Sequence, residues 1–235
     1  GQYLTLELAM SQAPAGATIT LLDNVETAST IETTKNYILD LDGKTLTSDG
    51  QRALWIKSGD VTIKSTATGG TITVPTVANN NSSAIRVGSD ESADATLTVE
   101  NGVTISADEC YGITIFGKND SQSLTVKGNV ETKIRPAVAG NGSQSLKPTT
   151  ITIESSAILK TTDNVTIYHP QGGTLIVNGT IEGDGGVEIK GGTLEVGPSA
   201  KITATGTPAH TPNNDDPSSR GYAIAIVENE LYAGV

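Results

Sequence analysis

The acidic residues best placed for chemistry in this sequence lie in two polar turns. Asp90, Glu91 and Asp94 follow the apolar segment AIRV, and Asp120 follows the segment GITIF. Because Ca²⁺ takes several carboxylate and carbonyl oxygens, these four residues are the candidate calcium site. Their spacing matches no defined calcium loop, so solvated turns are the favoured interpretation and no other cofactor is expected.

No pattern of residues predicts a catalytic site. Cys110 has no His near it in SADECYGITIF, and a catalytic thiol needs a base or a positive charge beside it. Asp40 and Asp42 lie two apart in LDLDG, and we interpret them as part of a turn, not as the converging carboxylates of acid and base catalysis. We therefore predict no catalytic residues; whether the protein is an enzyme stays open, with a non-catalytic role favoured.

The charge balance narrows the classes of partner that the protein is expected to bind. The 235 residues carry 15 Lys and Arg against 26 Asp and Glu, a formal net charge of −11, which argues against nucleic acid and anionic membranes. No run approaches the roughly 20 apolar residues of a membrane span, so we expect no membrane insertion. A single cysteine excludes an intrachain disulfide, and the fold must be stabilised by packing.

The elements that must position any site repeat along the chain. Two apolar residues separated by one other residue recur in ALWIKSG, AIRVGSD, GITIFGK, AVAGNGS, VTIYHPQ, GVEIKGG and AIAIVEN. Alternation with period 2 predicts strands, and recurrence every roughly 20 to 50 residues is typical of a solenoid. A second strand and a third, shorter apolar segment follow each of the first six.

Three short strands per repeat predict an all-β fold, a single-stranded right-handed parallel β-helix, because parallel crossovers are right-handed almost without exception. Stacking also predicts two outward rows: Thr62, Thr98, Thr125 and Thr152 in one, and Lys64, Glu100, Lys127 and Glu154 in the other. We expect a single domain over residues 1–235, with irregular first coils over 14–50 and regular coils over 51–235.

Residues 1–13 differ from the rest, because they carry a helical pattern. Thr5 is a suitable N-cap, and Leu6, Ala9, Met10 and Ala13 share one face of a helix that ends before Pro14. Such a helix would cover the apolar end of the stack.

The middle residue of each first strand is expected to point outward, since Arg86 and Glu188 occupy that position and a buried unpaired charge is costly. Arg86 would then lie one coil from Trp55 and could stack on it. Thr114 and Thr166 are expected on the same sheet face. The residues predicted to form a ligand-binding face are Trp55, Lys57, Arg86, Phe116, Tyr168, Glu188 and Lys190. The alternative is that the aromatic rings pack beneath the neighbouring loops or against another domain.

The segments PAGATITLLDNV, ILDLDGKTL, GGTLIVNGTIEG and VEIKGGTLEV resemble the pectate-lyase-like (pectin-lyase-like) β-helix domains of bacterial surface and secreted adhesin-like proteins. That family includes polysaccharide lyases and hydrolases as well as domains without known catalysis. The lyases of that family carry an RxPxxR-like element. The segment KIRPAVAG has Arg135 and Pro136 of this element but lacks its second Arg. The hydrolases of that family use a Gly-His-Gly element, and neither His169 nor His210 lies in such an element.

From this resemblance we expect a non-catalytic, exported bacterial module for cell-surface adhesion or carbohydrate binding, secreted or held at the cell surface. The chain begins without Met, which suggests processing. Its partner would be a polysaccharide or a host or cell-surface glycan, and the chain would be a monomer or part of a longer one. Two alternatives remain: a lyase or glycoside hydrolase acting on acidic polysaccharide, and a purely structural stalk.

Overall fold

The computed structural model describes residues 1–76, 81–89, 93–116, 121–140, 149–211 and 217–227. Within them the chain forms the helix α1 (Leu6–Gln12) and 24 strands. The first twelve strands are β1 (Ala17–Thr20), β2 (Val25–Thr27), β3 (Ile31–Thr33), β4 (Tyr37–Asp40), β5 (Thr45–Ser48), β6 (Leu54–Ile56), β7 (Gly59–Lys64), β8 (Gly70–Val74), β9 (Ser83–Val87), β10 (Ala95–Val99), β11 (Val103–Ala107) and β12 (Tyr111–Ile115). The others are β13 (Gln122–Val126), β14 (Asn129–Thr132), β15 (Val138–Ala139), β16 (Thr149–Ile153), β17 (Ile158–His169), β18 (Gly173–Val177), β19 (Thr180–Ile189), β20 (Thr193–Val196), β21 (Lys201–Ala204), β22 (Ala209–His210), β23 (Ser219–Arg220) and β24 (Ile224–Ile226).

The strands form two large parallel sheets, and the short pair β22–β23 is antiparallel. One sheet has the order β1-β4-β7-β10-β13-β16-β18-β20. The other has two arms, β2-β5-β8-β11-β14 and β3-β6-β9-β12-β15, which both reach the long strand β17. β17 pairs with β19, which in turn pairs with β21 and β24. The fold is thus nearly all-β, with one short helix, and is compatible with the predicted parallel β-helix. Within the described residues, no helix is both long and apolar enough to cross a membrane.

The core consists of rows of aliphatic side chains that lie over one another in successive strands. In the first sheet Val61, Leu97, Leu124, Ile151 and Leu175 occupy one register position, and all are buried. Burying each such side chain contributes about 1.5–3 kcal/mol before conformational entropy is counted. The alternation of apolar and polar residues therefore selects which face of every strand points inward.

The predicted Thr row is confirmed, since Thr62, Thr98, Thr125 and Thr152 are register partners in turn. The neighbouring charge row forms an ion pair, with Lys127 Nζ 2.9 Å from Glu100 Oε1.

Lys64, at the start of that charge row, lies 2.9 Å from Asp40 Oδ2 on the preceding strand. Burial raises the pKa of Asp40, but hydrogen bonds from Thr66 and Lys64 outweigh it and lower that pKa to about 2. Asp40 also accepts a hydrogen bond from the backbone N–H of Asp42. These contacts agree with the structural interpretation of the Asp40 and Asp42 pair.

The helix prediction is confirmed. The Thr5 hydroxyl caps α1 by accepting a hydrogen bond from the backbone N–H of Leu8 at 3.2 Å. Leu6, Ala9 and Met10 are buried and belong to the main hydrophobic core. α1 packs against β3 at the start of the second arm.

The prediction that Thr166 lies on the exposed outer face is wrong. Thr166 was expected to point outward, but it is buried, and its hydroxyl donates to the carbonyls of Glu182 and Gly185 at 3.0 Å each. The cause is that β17 runs without a break through two apolar segments that the sequence pattern separates, with a register shift between Thr161 and Val165.

The stacked rows predict how core and surface positions in one strand differ. Leu97→Ala should lower the free energy of unfolding by about 2–5 kcal/mol, because a fully buried side chain leaves a cavity between two neighbouring strands. Thr98→Ala, the next residue and on the outer face, should cost no more than about 1 kcal/mol. Denaturant unfolding of both variants measures the difference, and equal costs would contradict this register.

Candidate functional site

The strand register aligns the predicted ligand-binding face. One row across the second arm and its continuation contains Glu32, Trp55, Arg86, Thr114, Ala139, Tyr168, Glu188 and Ala225. The alignment of Trp55 beside Arg86 agrees with the prediction. Accessibility, however, divides the seven predicted residues into two groups.

The first group surrounds the only tryptophan, which is half-buried. Its indole Nε1–H donates to the Gly88 carbonyl at 2.8 Å, which fixes the ring against the adjacent strand. Lys57 Nζ lies 4.5 Å from the ring centroid, and the Arg86 guanidinium lies 4.9 Å from it. Arg86 also lies 4.0 Å from the centroid of Phe116, so one guanidinium joins the two rings. We call Trp55, Lys57, Arg86 and Phe116 the Trp55 surface.

Sequence reasoning missed Arg52, because it precedes β6 and carries no strand signal. Its guanidinium lies 5.5 Å from the Trp55 centroid, and its side chain is almost fully buried. Burial lowers the pKa of Arg52 from its ordinary value. Three cations thus lie near one indole in a chain whose formal net charge is −11. Lys57 also pairs with Glu32 at 2.6 Å, which holds its ammonium in place.

The second group is covered, contrary to the expectation of an exposed face. Tyr168, Glu188 and Lys190 are all buried. The Glu188 carboxylate accepts hydrogen bonds from the N–H and hydroxyl of Ser218 and from the N–H of Ser219, at 2.6–3.1 Å.

Lys190 completes this covered group. Its Nζ lies 3.4 Å from the Glu188 carboxylate and 5.1 Å from the Tyr168 centroid. The backbone at Ser218 and Ser219 therefore lies directly over Glu188, and these three residues lie outside the accessible part of the face.

His169 and Gln171 form a buried polar position that the sequence pattern did not reveal. Both ring nitrogens of His169 and both amide atoms of Gln171 are buried and have no hydrogen-bond partner among the described residues. Gly140 makes room for Gln171, because a Cβ at Gly140 would lie 1.6 Å from Gln171 Oε1. Burial lowers the pKa of His169 to about 4, so its ring is neutral at pH 7.

The other candidates for chemistry give no site in the described residues. Asp90, Glu91 and Asp120 of the calcium candidate lie outside those residues, and Asp94 accepts a hydrogen bond from the N–H of Ser121. Across the described ranges, no three His, Cys, Asp or Glu side chains are grouped to hold a metal ion. Burial raises the pKa of the Cys110 thiol to about 12, which keeps it protonated and weakly nucleophilic.

Comparison with known proteins adds no relative, since no protein-family model, curated protein or solved structure matches the chain.

The buried His169 should make the protein sensitive to acid. The pKa falls from 6.5 in the unfolded chain to about 4 in the fold, so between these values the unfolded state binds a proton that the fold does not. The free energy of unfolding should therefore fall by about 3 kcal/mol as the pH drops from 6.5 to 4. Urea unfolding of the parent and of His169→Leu across this range measures the effect; the variant should lose this slope, and parallel curves would contradict the assignment.

Glu188 and Glu32 offer a matched pair of ion-pair variants in one row. Glu188→Ala should cost about 3–5 kcal/mol of unfolding free energy, because it removes the buried acceptor of Ser218, Ser219 and Lys190. Glu32→Ala breaks the exposed pair with Lys57 and should cost at most about 1 kcal/mol. Similar losses from the two variants, measured by denaturant unfolding, would show that Ser218 and Ser219 do not cover Glu188.

Proposed function

We propose that this protein is a non-catalytic, exported bacterial module that binds carbohydrate in cell-surface adhesion. It would be a right-handed parallel β-helix of the pectate-lyase-like type, with three short strands in each coil. The strand order supports this, because every third strand from β1 to β16 joins one sheet and the strands between them supply the two arms of the other.

The observation that carries the proposal is the Trp55 surface. A sugar ring presents C–H groups that pack on an aromatic face, while its hydroxyl or carboxylate groups are oriented by nearby charges. Trp55 and Phe116 supply the apolar contact on one rigid sheet, and Lys57 and Arg86 lie beside them. The indole hydrogen bond to Gly88 holds the ring in position before a ligand arrives, which reduces the ordering cost of binding.

The proposal that the protein is non-catalytic is supported by the incomplete match of its sequence to the lyase motif. KIRPAVAG keeps Arg135 and Pro136 without the second Arg of the lyase pattern. The Arg135 guanidinium lies 5.6 Å from the centroid of the Tyr111 ring and packs over it. The buried, protonated Cys110 thiol is likewise unsuited to nucleophilic attack. A location outside the cytoplasm follows from the resemblance to surface and secreted domains.

Replacing Trp55 tests the binding surface. Trp55→Ala should weaken binding to the glycans that the parent selects on an array by at least about tenfold, because anchor aromatics dominate such contacts. Trp55→Phe keeps a ring and should retain most of the affinity. Tyr3→Ala, which removes an exposed ring far from β6 in sequence, is the control and should bind as the parent does.

Circular dichroism of each variant must first show an intact fold. Unchanged glycan binding by a folded Trp55→Ala variant would overturn the proposed site. Incubation of the parent with acidic and neutral polysaccharides, with and without Ca²⁺, tests the non-catalytic role. New reducing ends or unsaturated products would replace the proposal with a lyase or hydrolase.

A further inference from the structure

Two clusters on the second arm and its continuation combine an aromatic ring, a carboxylate and a lysine. Their members are Trp55, Glu32 and Lys57 in one cluster, and Tyr168, Glu188 and Lys190 in the other. In each cluster the carboxylate is the direct register partner of the ring on an adjacent strand. The ammonium lies 4.5 Å from the ring centroid in the first cluster and 5.1 Å in the second, and it is paired with the carboxylate in both. The two clusters therefore hold the same three groups in similar contacts.

The cluster at Tyr168 shows which groups such a carboxylate binds besides the lysine. Glu188 accepts hydrogen bonds from the N–H and the hydroxyl of Ser218 and from the N–H of Ser219, at 2.6–3.1 Å. A carboxylate has about four lone-pair sites. At Glu188 the chain supplies donors to these sites, one of which is a hydroxyl group.

Glu32 has the equivalent position at the Trp55 surface, but its carboxylate is open to solvent. Its side chain is 45% exposed, whereas that of Glu188 is fully buried. In the described part of the chain, Lys57 is the one group at ion-pair or hydrogen-bond distance from it. Glu32 is also the most exposed charged residue beside the indole, since Arg52 is buried and Lys57 and Arg86 are half-buried. The chain itself closes the far side of this cluster, because α1 packs against β3.

We propose that Glu32 is a ligand-binding residue of the Trp55 surface, a role that rests on the proposed carbohydrate binding. Its carboxylate accepts hydrogen bonds from sugar hydroxyls, in the place that Ser218 and Ser219 take at Glu188. Hydroxyls on adjacent carbon atoms can donate to the two oxygens of one carboxylate while the C–H groups of the sugar pack on Trp55. The ligand is then a neutral sugar with two free, adjacent hydroxyl groups.

The charge of Glu32 selects against acidic sugars at this position. A uronic acid carboxylate or a sulfate in the same place has no proton to donate and would face a like charge, which excludes a wrong ligand as effectively as a clash. Lys57 does not offset this repulsion, because its ammonium is already paired with Glu32 at 2.6 Å. Sugar hydroxyls instead form charge-assisted hydrogen bonds with the carboxylate, which are stronger than neutral ones.

Glu32→Gln tests the selection by charge on an array of oligomers of glucose, galactose and mannose and of the corresponding uronic acids. The parent should bind a neutral oligomer at least about tenfold more tightly than the corresponding acidic one. Glu32→Gln should lose most of this preference. Glu182→Gln is the matched control, because it breaks an exposed ion pair with Lys160 in a register row without an aromatic residue. The control should keep the parental preference.

Methyl glycosides of the same three hexoses, used as competitors, separate a direct contact of Glu32 from an indirect effect through Lys57. In the parent, removing either of two adjacent hydroxyls from the hexoside should weaken competition at least about tenfold. In Glu32→Ala, the intact hexoside and these two monodeoxy derivatives should compete equally, because the acceptor of both hydroxyls is gone. A variant that merely released Lys57 would keep the full sensitivity to each missing hydroxyl, and this result would contradict the direct contact.

The role of Glu32 and the proposed carbohydrate binding fail in different ways. A parent that binds no glycan would remove both. A parent that binds only acidic glycans would overturn the role of Glu32 and leave carbohydrate binding in place. The same conclusion would follow if Trp55→Ala abolished binding to neutral oligomers and Glu32→Ala left it unchanged. Glu32→Ala breaks only an exposed ion pair, so the variant should fold, and circular dichroism checks this.

Discussion

The constraint on which this structure depends is the parallel register, which places each residue over its equivalent in the neighbouring strands. A side chain in such a row lies beside its register partner on each neighbouring strand, so its contacts depend on the residues that occupy the same position there. Leu97 and Leu124 stack as aliphatic partners, while Lys127 finds Glu100 across one strand pair. The same rule brings Trp55 beside Arg86, so the Trp55 surface and the core are built from one geometry.

A cation over an aromatic ring with a carboxylate beside it occurs twice in the part of the fold that the structure describes. In the open version, Lys57 lies over Trp55 and pairs with Glu32. The covered version has Lys190 over Tyr168, paired with Glu188 under the backbone of Ser218 and Ser219. The covered version shows that this arrangement can be stabilised by contacts from within the chain. The open version leaves a half-buried indole with its charges already held in place, which is what a binding surface requires.

Local patterns in the sequence were sufficient for much of this fold. The Thr5 cap and the buried face of α1 follow from short-range spacing, and the alignment of Trp55 with Arg86 follows from the repeat of the strand pattern. The burial of Glu188 could not be predicted, because it depends on Ser218, which is remote in sequence and returns over the sheet. The contact of Arg52 with Trp55 could not be predicted either, because Arg52 precedes β6 and is not part of the strand pattern. These failures share one cause: side-chain burial was decided by contacts between segments that no local period encodes.

The packing of α1 against β3 gives the second arm a direction in time as well as in space. During synthesis α1 emerges before the strands β1 to β24, so β3 can pack against it before the later strands exist. The strands β6, β9, β12 and β15 can then each add to an edge that is already formed, so the order of the strands in this arm matches the order in which the chain is made.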